Sequence, residues 1–451
     1  MSTVFTMFLP IPVNTVVSNT TSCVHTPGHR QRLQSSWPST TMQLLLSFTA
    51  LFVLVNSRLP QYTKYGKNLV FGGGALMDNN ADVWSKIVEM AGGKGKARIG
   101  VISAASATPT TSAQYYVDLL VNNYTALEAT FIPVTVDDVA KNSDPNVVKL
   151  IKQQTGFFIS GGDQMRLVQA YVLAGNIPSP ALQAIKDQYD LGAVISGSSA
   201  GTTVLTSGPM VTGGRSWDAL RYGAHESSTH ANDLTYWKTG GFGIYPDYLL
   251  DTHFSNRGRE GRMMRLLSDT RHMSNGVDYG LGVSENTALV VTHVGTDNEL
   301  GEVFGELGVT IVDISKSFSD PAERYYSLRN VFVSYLTDGD TINMKTRNIT
   351  FSPSKTPLRG NEGYDHALTS NDIFYGEGSH HRKTEFLRVA ASLFDARKDT
   401  MTYGDTHLTH PQFRVTMSKT GTDTEGYVER HEDFHSDTHS YKNMYVEIGE
   451  R

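Results

Sequence analysis

The chain has 451 residues, 39% of them hydrophobic and 19% charged, so it can bury a large core and lacks the composition of a disordered protein. Its formal net charge of −6 at pH 7 is too small to predict binding to nucleic acid or to a membrane surface. The single cysteine, Cys23, leaves no disulfide framework and no cysteine metal site.

The first 57 residues have the pattern of a targeting segment. Met42–Val55 is an apolar run that is too short to span a bilayer comfortably, and two arginines precede it. The small polar pair Asn56-Ser57 follows it, as at a signal-peptide cleavage site. We therefore predict a signal peptide at residues 42–57, a secreted protein, and no membrane contact in the mature form. A buried helix or an uncleaved anchor is the alternative, and Met42 is a second candidate start.

Strand and helix patterns alternate between residues 68 and 195. Such alternation predicts βαβ units and a parallel sheet that helices cover on both faces. Glycines follow three of the strands, at Gly72–Gly74, Gly161-Gly162 and Gly197–Gly201, where ligand chemistry is expected in such sheets. The predicted strands are Asn68–Phe71, Ala97–Ser103, Thr130–Val136, Gly156–Ser160 and Ala193–Ile195, and the predicted helices are Asp82–Ala91, Ser112–Asn122, Pro145–Gln153, Asp163–Leu173 and Pro178–Tyr189.

The second half of the chain is less regular. It contains a polar, glycine-rich insertion at Thr212–Gly243, and the pattern changes again beyond Asp320. We predict a catalytic α/β domain at residues 58–320 and a C-terminal extension of unknown role at 321–451. The remaining predicted strands are Tyr248–Phe254, Gly280–Thr292, Gly308–Ile314, Asn330–Leu336 and Gln412–Met417, with helices within Ser255–Leu267 and at Lys383–Arg397.

Three histidines near the C-terminus recur at a spacing of four residues, at His431, His435 and His439. On a helix this spacing would align them for metal binding. Their surroundings are polar and lack apolar helical periodicity, so we predict a solvated tail and no metal site.

Gly197–Gly201 fits the pattern G-x-S-x-G of a nucleophile elbow, in which a sharp strand-to-helix turn holds a serine. Ser199 would be the nucleophile, and the N–H of Ala200 would be one oxyanion donor. The pattern is short, and an ordinary glycine-rich turn is the alternative.

His253 is the best candidate for the base that takes the proton from Ser199. On a strand, Asp251 and His253 point to the same face. The next residues supply Arg257, Arg259 and Arg262, which could converge beside the histidine and hold a substrate carboxylate. The alternatives are a structural histidine and a solvated helix face.

Four stretches occur in this order along the chain: Ser160–Gln164, Gly197–Gly201, Asp251–Arg262 and Gly282–Ala288. Together they resemble the cyanophycinase family of serine peptidases, relatives of aspartyl dipeptidase. The resemblance covers roughly Asn68–Ser315, and the longest stretch reads D-x-H-F-S-x-R-G-R-x-G-R. It implies a three-layer α/β fold, with a parallel sheet and a nucleophile elbow, like class I glutamine amidotransferases with serine in place of cysteine. It also implies hydrolysis of β-aspartyl-arginine links without a cofactor.

The resemblance also implies roles for single residues. Ser199 matches the nucleophile and His253 the base, with oxyanion donors at Gly162 and Ala200. The acid that orients the histidine is expected at Asp218, with Glu285 and Asp251 as rivals. Thr252 stands where the family usually has glutamine. The positions that resemble the substrate pocket are Gln164, Asp251, Thr252, Arg257, Arg259 and Arg262.

The expected partner is a peptide that carries an aspartyl carboxylate and an arginine; a homodimer is left open. Two other functions remain at this stage. One is an α-aspartyl or isoaspartyl dipeptidase, because Thr252 and the insertion Thr212–Gly243 could reshape the pocket. The other is a non-catalytic secreted binding protein on the same scaffold, since a fold does not fix a function.

Overall fold

The computed structural model describes residues 66–376, 384–431 and 437–451, which belong to one compact unit, Leu59–Arg451. The predicted signal peptide at 42–57 and His435 lie outside these ranges. Within them, no helix is both long enough and apolar enough to cross a membrane.

The unit contains helices and strands in a mixed α/β arrangement. The helices are α1 (Ala81–Met90), α2 (Pro109–Asp118), α3 (Pro145–Ile151), α4 (Gln164–Tyr171), α5 (Pro180–Asp190), α6 (Ala200–Thr203), α7 (Ser216–Tyr222), α8 (Glu260–Thr270) and α9 (Glu385–Phe394). The strands up to residue 252 are β1 (Leu69–Gly72), β2 (Arg98–Ile102), β3 (Glu128–Phe131), β4 (Gly156–Ile159), β5 (Val172–Leu173), β6 (Ile177–Pro178), β7 (Val194–Ser198), β8 (Met210–Gly213), β9 (Ala224–His225), β10 (Leu234–Trp237) and β11 (Leu249–Thr252). The later strands are β12 (Tyr279–Val283), β13 (Thr287–Thr292), β14 (Leu300–Gly305), β15 (Gly308–Asp313), β16 (Leu328–Thr337), β17 (Thr341–Asn343), β18 (Ile349–Thr350), β19 (Thr356–Pro357), β20 (Met401–Asp405), β21 (Phe413–Ser418), β22 (Glu425–Glu429) and β23 (Thr438–Glu450).

The first large sheet has the order β18-β17-β14-β13-β1-β7-β4-β2-β3. Its five strands from β1 to β3 in this order are parallel, as the alternating pattern predicts. The four strands on the other side of β1 are antiparallel, so the sheet is mixed rather than parallel throughout. The parallel half places the ends of β1, β4 and β7, with their glycines, along one edge.

The second large sheet joins the two sides of the predicted boundary near residue 320. Its main path is β11-β12-β15-β16-β23-β21-β20, and only β11 and β12 form a parallel pair on it. Strand β15 pairs with β16, and β16 pairs with β23. The strands that carry part of the candidate site therefore share a sheet with strands of the C-terminal region.

Alternation along the strands divides the apolar core into layers. Leu69 and Phe71 of β1 face one buried cluster, and Val70 faces another, which includes residues of α1 and α2. In β15, Ile311 belongs to the cluster shared with β1, while Val312 packs with residues of α8 and α9. This is the two-residue period of a strand that is buried on both faces.

The structure differs from the sequence expectations at two points that concern function. Gly280–Thr292 is two strands in different sheets, β12 and β13, separated by the turn Ser284–Asn286. The expected solvated tail is a strand from Thr438 onward, and the Nε2 atom of His439 lies 3.2 Å from Asp395. Among the described residues, no group of histidine, cysteine and carboxylate side chains could hold a metal ion.

Candidate active site

The glycines after β1 bring the functional elements together. The carbonyl of Gly72 accepts the N–H of Ser199 at 3.1 Å, and the carbonyl of Gly73 accepts the N–H of His253 at 2.7 Å. The carbonyl of Gly74 accepts the N–H of Asn286 at 2.9 Å. Three distant parts of the chain are thus anchored to three successive peptide groups.

Ser199 stands between β7 and the short helix α6, with φ 56° and ψ −121°. A positive φ is costly for a residue with a side chain, and such strain persists only where the surroundings impose it. Here the close approach of backbones imposes it. A Cβ on Gly197 would lie 2.3 Å from the carbonyl oxygen of Gly201, and a Cβ on Gly201 would lie 2.0 Å from that of Ile159.

His253 directly follows β11 and lies beside Ser199. Its Nε2 atom is 2.8 Å from Ser199 Oγ, and its Nδ1 atom is 2.8 Å from Glu285 Oε1. Burial lowers the pKa of His253 below its ordinary value, and this outweighs the opposing effect of the hydrogen bond to Glu285. The imidazole is therefore neutral near pH 7, the form that accepts a proton.

The carboxylate that contacts His253 is that of Glu285, and the expectation for Asp218 is corrected. Asp218 lies on α7, where burial raises its pKa and Arg215 opposes the shift. Glu285 lies in the turn between β12 and β13 and its N–H donates to Asn256 Oδ1 at 2.8 Å. The expectation followed the order of segments along the chain, and it could not anticipate that the chain passes between two sheets at this turn.

Asp251 is buried in an ion pair. Its carboxylate accepts two hydrogen bonds from Arg262, at 2.6 and 2.8 Å, and one from Arg259 at 3.2 Å. Burial alone would raise the pKa of Asp251, but Arg262 and Arg259 outweigh it and hold the pKa below its usual value. The arginines are also largely buried, with side-chain exposures of 5% for Arg262 and 17% for Arg259. These three residues thus form a buried ion-pair cluster beside His253, and their contact with a substrate stays a prediction.

Arg257 differs from the other two arginines. Its side chain is 46% exposed, and its Nε atom lies 3.9 Å from Glu285 Oε1. Thr252 is buried, and its backbone carbonyl accepts a hydrogen bond from Arg259 at 2.6 Å. Gln164, at the start of α4, donates from Nε2 to the carbonyl of Val211 at 2.7 Å. Of the expected substrate residues, Arg257 is the charged one that remains accessible beside His253.

The two expected oxyanion donors lie on either side of Ser199. Ala200 is the first residue of α6, directly after the serine, and the first N–H groups of a helix have no partner within it. A Cβ on Gly161 would lie 3.1 Å from Ser199 Cβ, so the Gly161-Gly162 turn borders the serine. Gly162 has φ 140°, and a side chain there would collide with the carbonyl of Ala105 at 2.2 Å.

Asn256 and Gly258 hold the turn that carries Arg257, and neither was predicted from the sequence as a site residue. Asn256 accepts the N–H of Glu285, and Gly258 has φ 58° at the end of the turn Ser255–Arg257. A Cβ on Gly258 would lie 2.3 Å from the carbonyl oxygen of Phe374, which belongs to the C-terminal region. The glycine of the long motif at Gly258 was the available signal, but a contact partner more than a hundred residues away leaves no local trace.

Comparison with known proteins shows the family of this chain. The model of peptidase family S51 matches residues 69–298, slightly more than half of the chain. The chain belongs to peptidase family S51. It is 30% identical over 285 residues to a cyanophycinase from Geminocystis herdmanii, which covers 62% of this chain and 93% of that protein. It is 28% identical over 299 residues to a cyanophycinase from Synechococcus elongatus, covering 65% and 84%.

A solved peptidase from an acI-B1 Actinobacterium is 21% identical, with a TM-score of 0.44 and coverage of 62% of this chain and 99% of that one. The chain is a serine-type peptidase, as the resemblance implied, and it acts on peptide substrates. This membership disfavours the alternative of a non-catalytic binding protein.

The first prediction concerns the carboxylate beside His253. We expect Glu285→Gln to lower kcat by roughly 10⁴-fold with little change in KM, because the imidazolium formed during attack loses the carboxylate charge that stabilises it. The acidic limb of the kcat/KM profile should also move to lower pH, because the Glu285 interactions raise the pKa of His253. Asp218→Asn is the matched control and should remain active. Full activity in Glu285→Gln would refute this arrangement.

The second prediction tests the packing of Phe374 on the Arg257 turn. We expect Gly258→Ala to raise KM and to lower the free energy of unfolding by more than about 1 kcal/mol, because positive φ and a close carbonyl both oppose a side chain. Gly95→Ala is the matched control, since Gly95 has φ 67° and no atom within 4 Å of its Cβ position. Steady-state kinetics and urea unfolding measure both effects. Equal effects of the two variants would contradict a specific role for the Phe374 contact.

Proposed function

We propose that this family S51 peptidase hydrolyses β-aspartyl-arginine links through a Ser199–His253–Glu285 triad. The observation that carries the proposal is the continuous line of contacts from Ser199 Oγ to His253 Nε2 and from His253 Nδ1 to Glu285, each 2.8 Å long. The strained backbone of Ser199 between β7 and α6 supports a nucleophile elbow. Apolar clusters on both faces of β1 support a three-layer core around the sheet.

The proposed reaction has two stages. Ser199 Oγ attacks the amide carbonyl carbon while His253 Nε2 takes its proton, and the N–H groups of Ala200 and Gly162 stabilise the oxyanion. The tetrahedral intermediate then expels the amine, which receives the proton from His253, and an acyl-enzyme remains. Water attacks the acyl-enzyme, His253 takes a proton from that water, and release of the acid restores Ser199.

The substrate class follows from Arg257 and from the similarity to cyanophycinases. A guanidinium that is 46% exposed beside the histidine can hold a carboxylate with two parallel hydrogen bonds. A β-linked aspartyl residue keeps its α-carboxylate free for this contact. The resemblance supplies the arginine on the other side of the bond, and no cofactor takes part in the proposed steps.

The third prediction tests this proposal with purified protein and β-Asp-Arg oligomers. We expect release of free arginine by the wild type, no turnover by Ser199→Ala, and a raised KM for Arg257→Gln, because the carboxylate loses its partner. Matched α-linked peptides provide the comparison of kcat/KM. Preference for the α-linked substrate would favour the aspartyl dipeptidase alternative, and turnover that survives Ser199→Ala would overturn the mechanism.

We also propose that the enzyme is secreted after cleavage near Ser57. The support is the apolar run Met42–Val55 with arginines before it and a small polar pair after it. Both glycosylation motifs in the described part begin at exposed asparagines, Asn123 and Asn348, which is compatible with a secretory route.

The fourth prediction tests the leader. We expect N-terminal sequencing of protein recovered from the medium of expressing cells to begin near Arg58, and a chain that begins at Leu59 to stay inside the cells. The full chain recovered inside the cells with Met1 intact would contradict secretion.

A further inference from the structure

A cavity of about 790 Å³ is lined by residues between Glu306 and Tyr441. Ser199 and His253 are not among the described residues that line it. This volume is typical of sites for small molecules. Three tyrosines and three leucines provide much of its apolar wall: Tyr335, Tyr364, Tyr441, Leu307, Leu368 and Leu387.

The cavity adjoins the active site through two of its walls. Helix α9 supplies Leu387 and Arg388 to the cavity, and the same helix packs against the turn Ser255–Arg257. On another wall, Glu306 Oε2 accepts a hydrogen bond of 3.0 Å from Asn286 Nδ2. Because Asn286 directly follows Glu285, an occupant of the cavity would lie close to the elements that hold the triad.

Carboxylates outnumber guanidinium groups on the cavity wall. The described lining residues include three carboxylates, Glu306, Asp395 and Asp437, and one guanidinium group, that of Arg388. Two of these carboxylates share one cationic partner, because Arg430 donates to both Asp395 and Asp437 at 2.8 Å. Glu306 is exposed and has no lysine, arginine or histidine partner within the described ranges. The uncompensated charge that faces the cavity is therefore negative.

The tyrosine wall contains a polar atom that needs a partner. Tyr441 is fully buried, and within the described ranges its hydroxyl makes no hydrogen bond. Burial raises the pKa of Tyr441 far above its ordinary value, so the hydroxyl stays neutral and can accept or donate a hydrogen bond. Buried polar groups are nearly always paired, so this floor is suited to a polar occupant.

We propose that this cavity binds an organic cation, an ammonium or guanidinium group on an aliphatic stem. The leucines provide apolar surface for the stem, and the charged head is attracted by the carboxylate of Glu306. The cation has two potential sources, a free small molecule or a basic side chain of a peptide bound at Ser199. The binding chemistry is the same for both.

The fifth prediction tests binding directly on the full chain, without reference to hydrolysis. We expect n-hexylammonium to bind by calorimetry or ligand-observed NMR, and 1-hexanol and hexanoate of the same length to bind at least about fivefold more weakly. Glu306→Gln and Tyr441→Phe should each weaken n-hexylammonium binding, and Ala391→Phe on α9 should block it. Glu450→Gln, an exposed carboxylate outside the lining, is the matched control.

The outcomes separate this inference from the proposed function. Equal binding of the cation and of 1-hexanol, or unchanged binding in Glu306→Gln and Ala391→Phe variants with wild-type thermal unfolding, would overturn it. A loss of hydrolysis leaves the binding result intact. Competition distinguishes the two sources: n-hexylammonium raises KM for a lysine-containing aspartyl peptide and spares its norleucine analogue if a side chain occupies the cavity. Equal effects on both peptides indicate a free ligand.

Discussion

The buried ion pair between Asp251 and Arg262 is the interaction on which the candidate site depends. It ties the end of β11 to the first turn of α8, and every residue between them belongs to the segment that carries His253 and Arg257. An arginine that is 5% exposed and a carboxylate that is 2% exposed are costly to bury separately. Removal of one partner of such a pair typically destabilises a protein by about 3–5 kcal/mol, so the pair fixes the segment in one geometry. The ion pair at the two ends of the long motif therefore holds the side chains of His253 and Arg257 in place.

The proposed triad is assembled from parts of the chain that belong to different sheets. Ser199 follows a strand of the first sheet, and His253 follows a strand of the second. Glu285 lies where the chain crosses from β12 in the second sheet to β13 in the first. The carbonyl groups of the glycines after β1 accept N–H groups from all three regions. A small movement of one sheet relative to the other would therefore change the distances from His253 to Ser199 and to Glu285.

The sequence predicted the parallel half of the fold well because its signals are local. Apolar runs followed by glycine marked β1, β4 and β7, and their shared edge explains why Ser199 could be singled out. Strand β14 was not predicted, and β13 was merged with β12 in the single predicted strand Gly280–Thr292, because the pairing of β13 with β1 joins residues far apart in the chain. The triad acid shows the same limit. Asp218 and Glu285 were both candidates by type and position, and only the crossing between sheets brings Glu285 to His253.

The C-terminal region is part of the enzyme's architecture rather than an appendage, although the family match ends at residue 298. Strand β16 covers the edge of β15, which would otherwise expose unpaired backbone groups, and β23 in turn covers β16. Val312 of β15 is fully buried together with residues of α9. Phe374 packs against Gly258, at the end of the turn that carries Arg257. A chain that stopped at residue 298 would lack β15 and leave β12 and α8 without their cover, so the site of this protein depends on residues beyond the match to the family model.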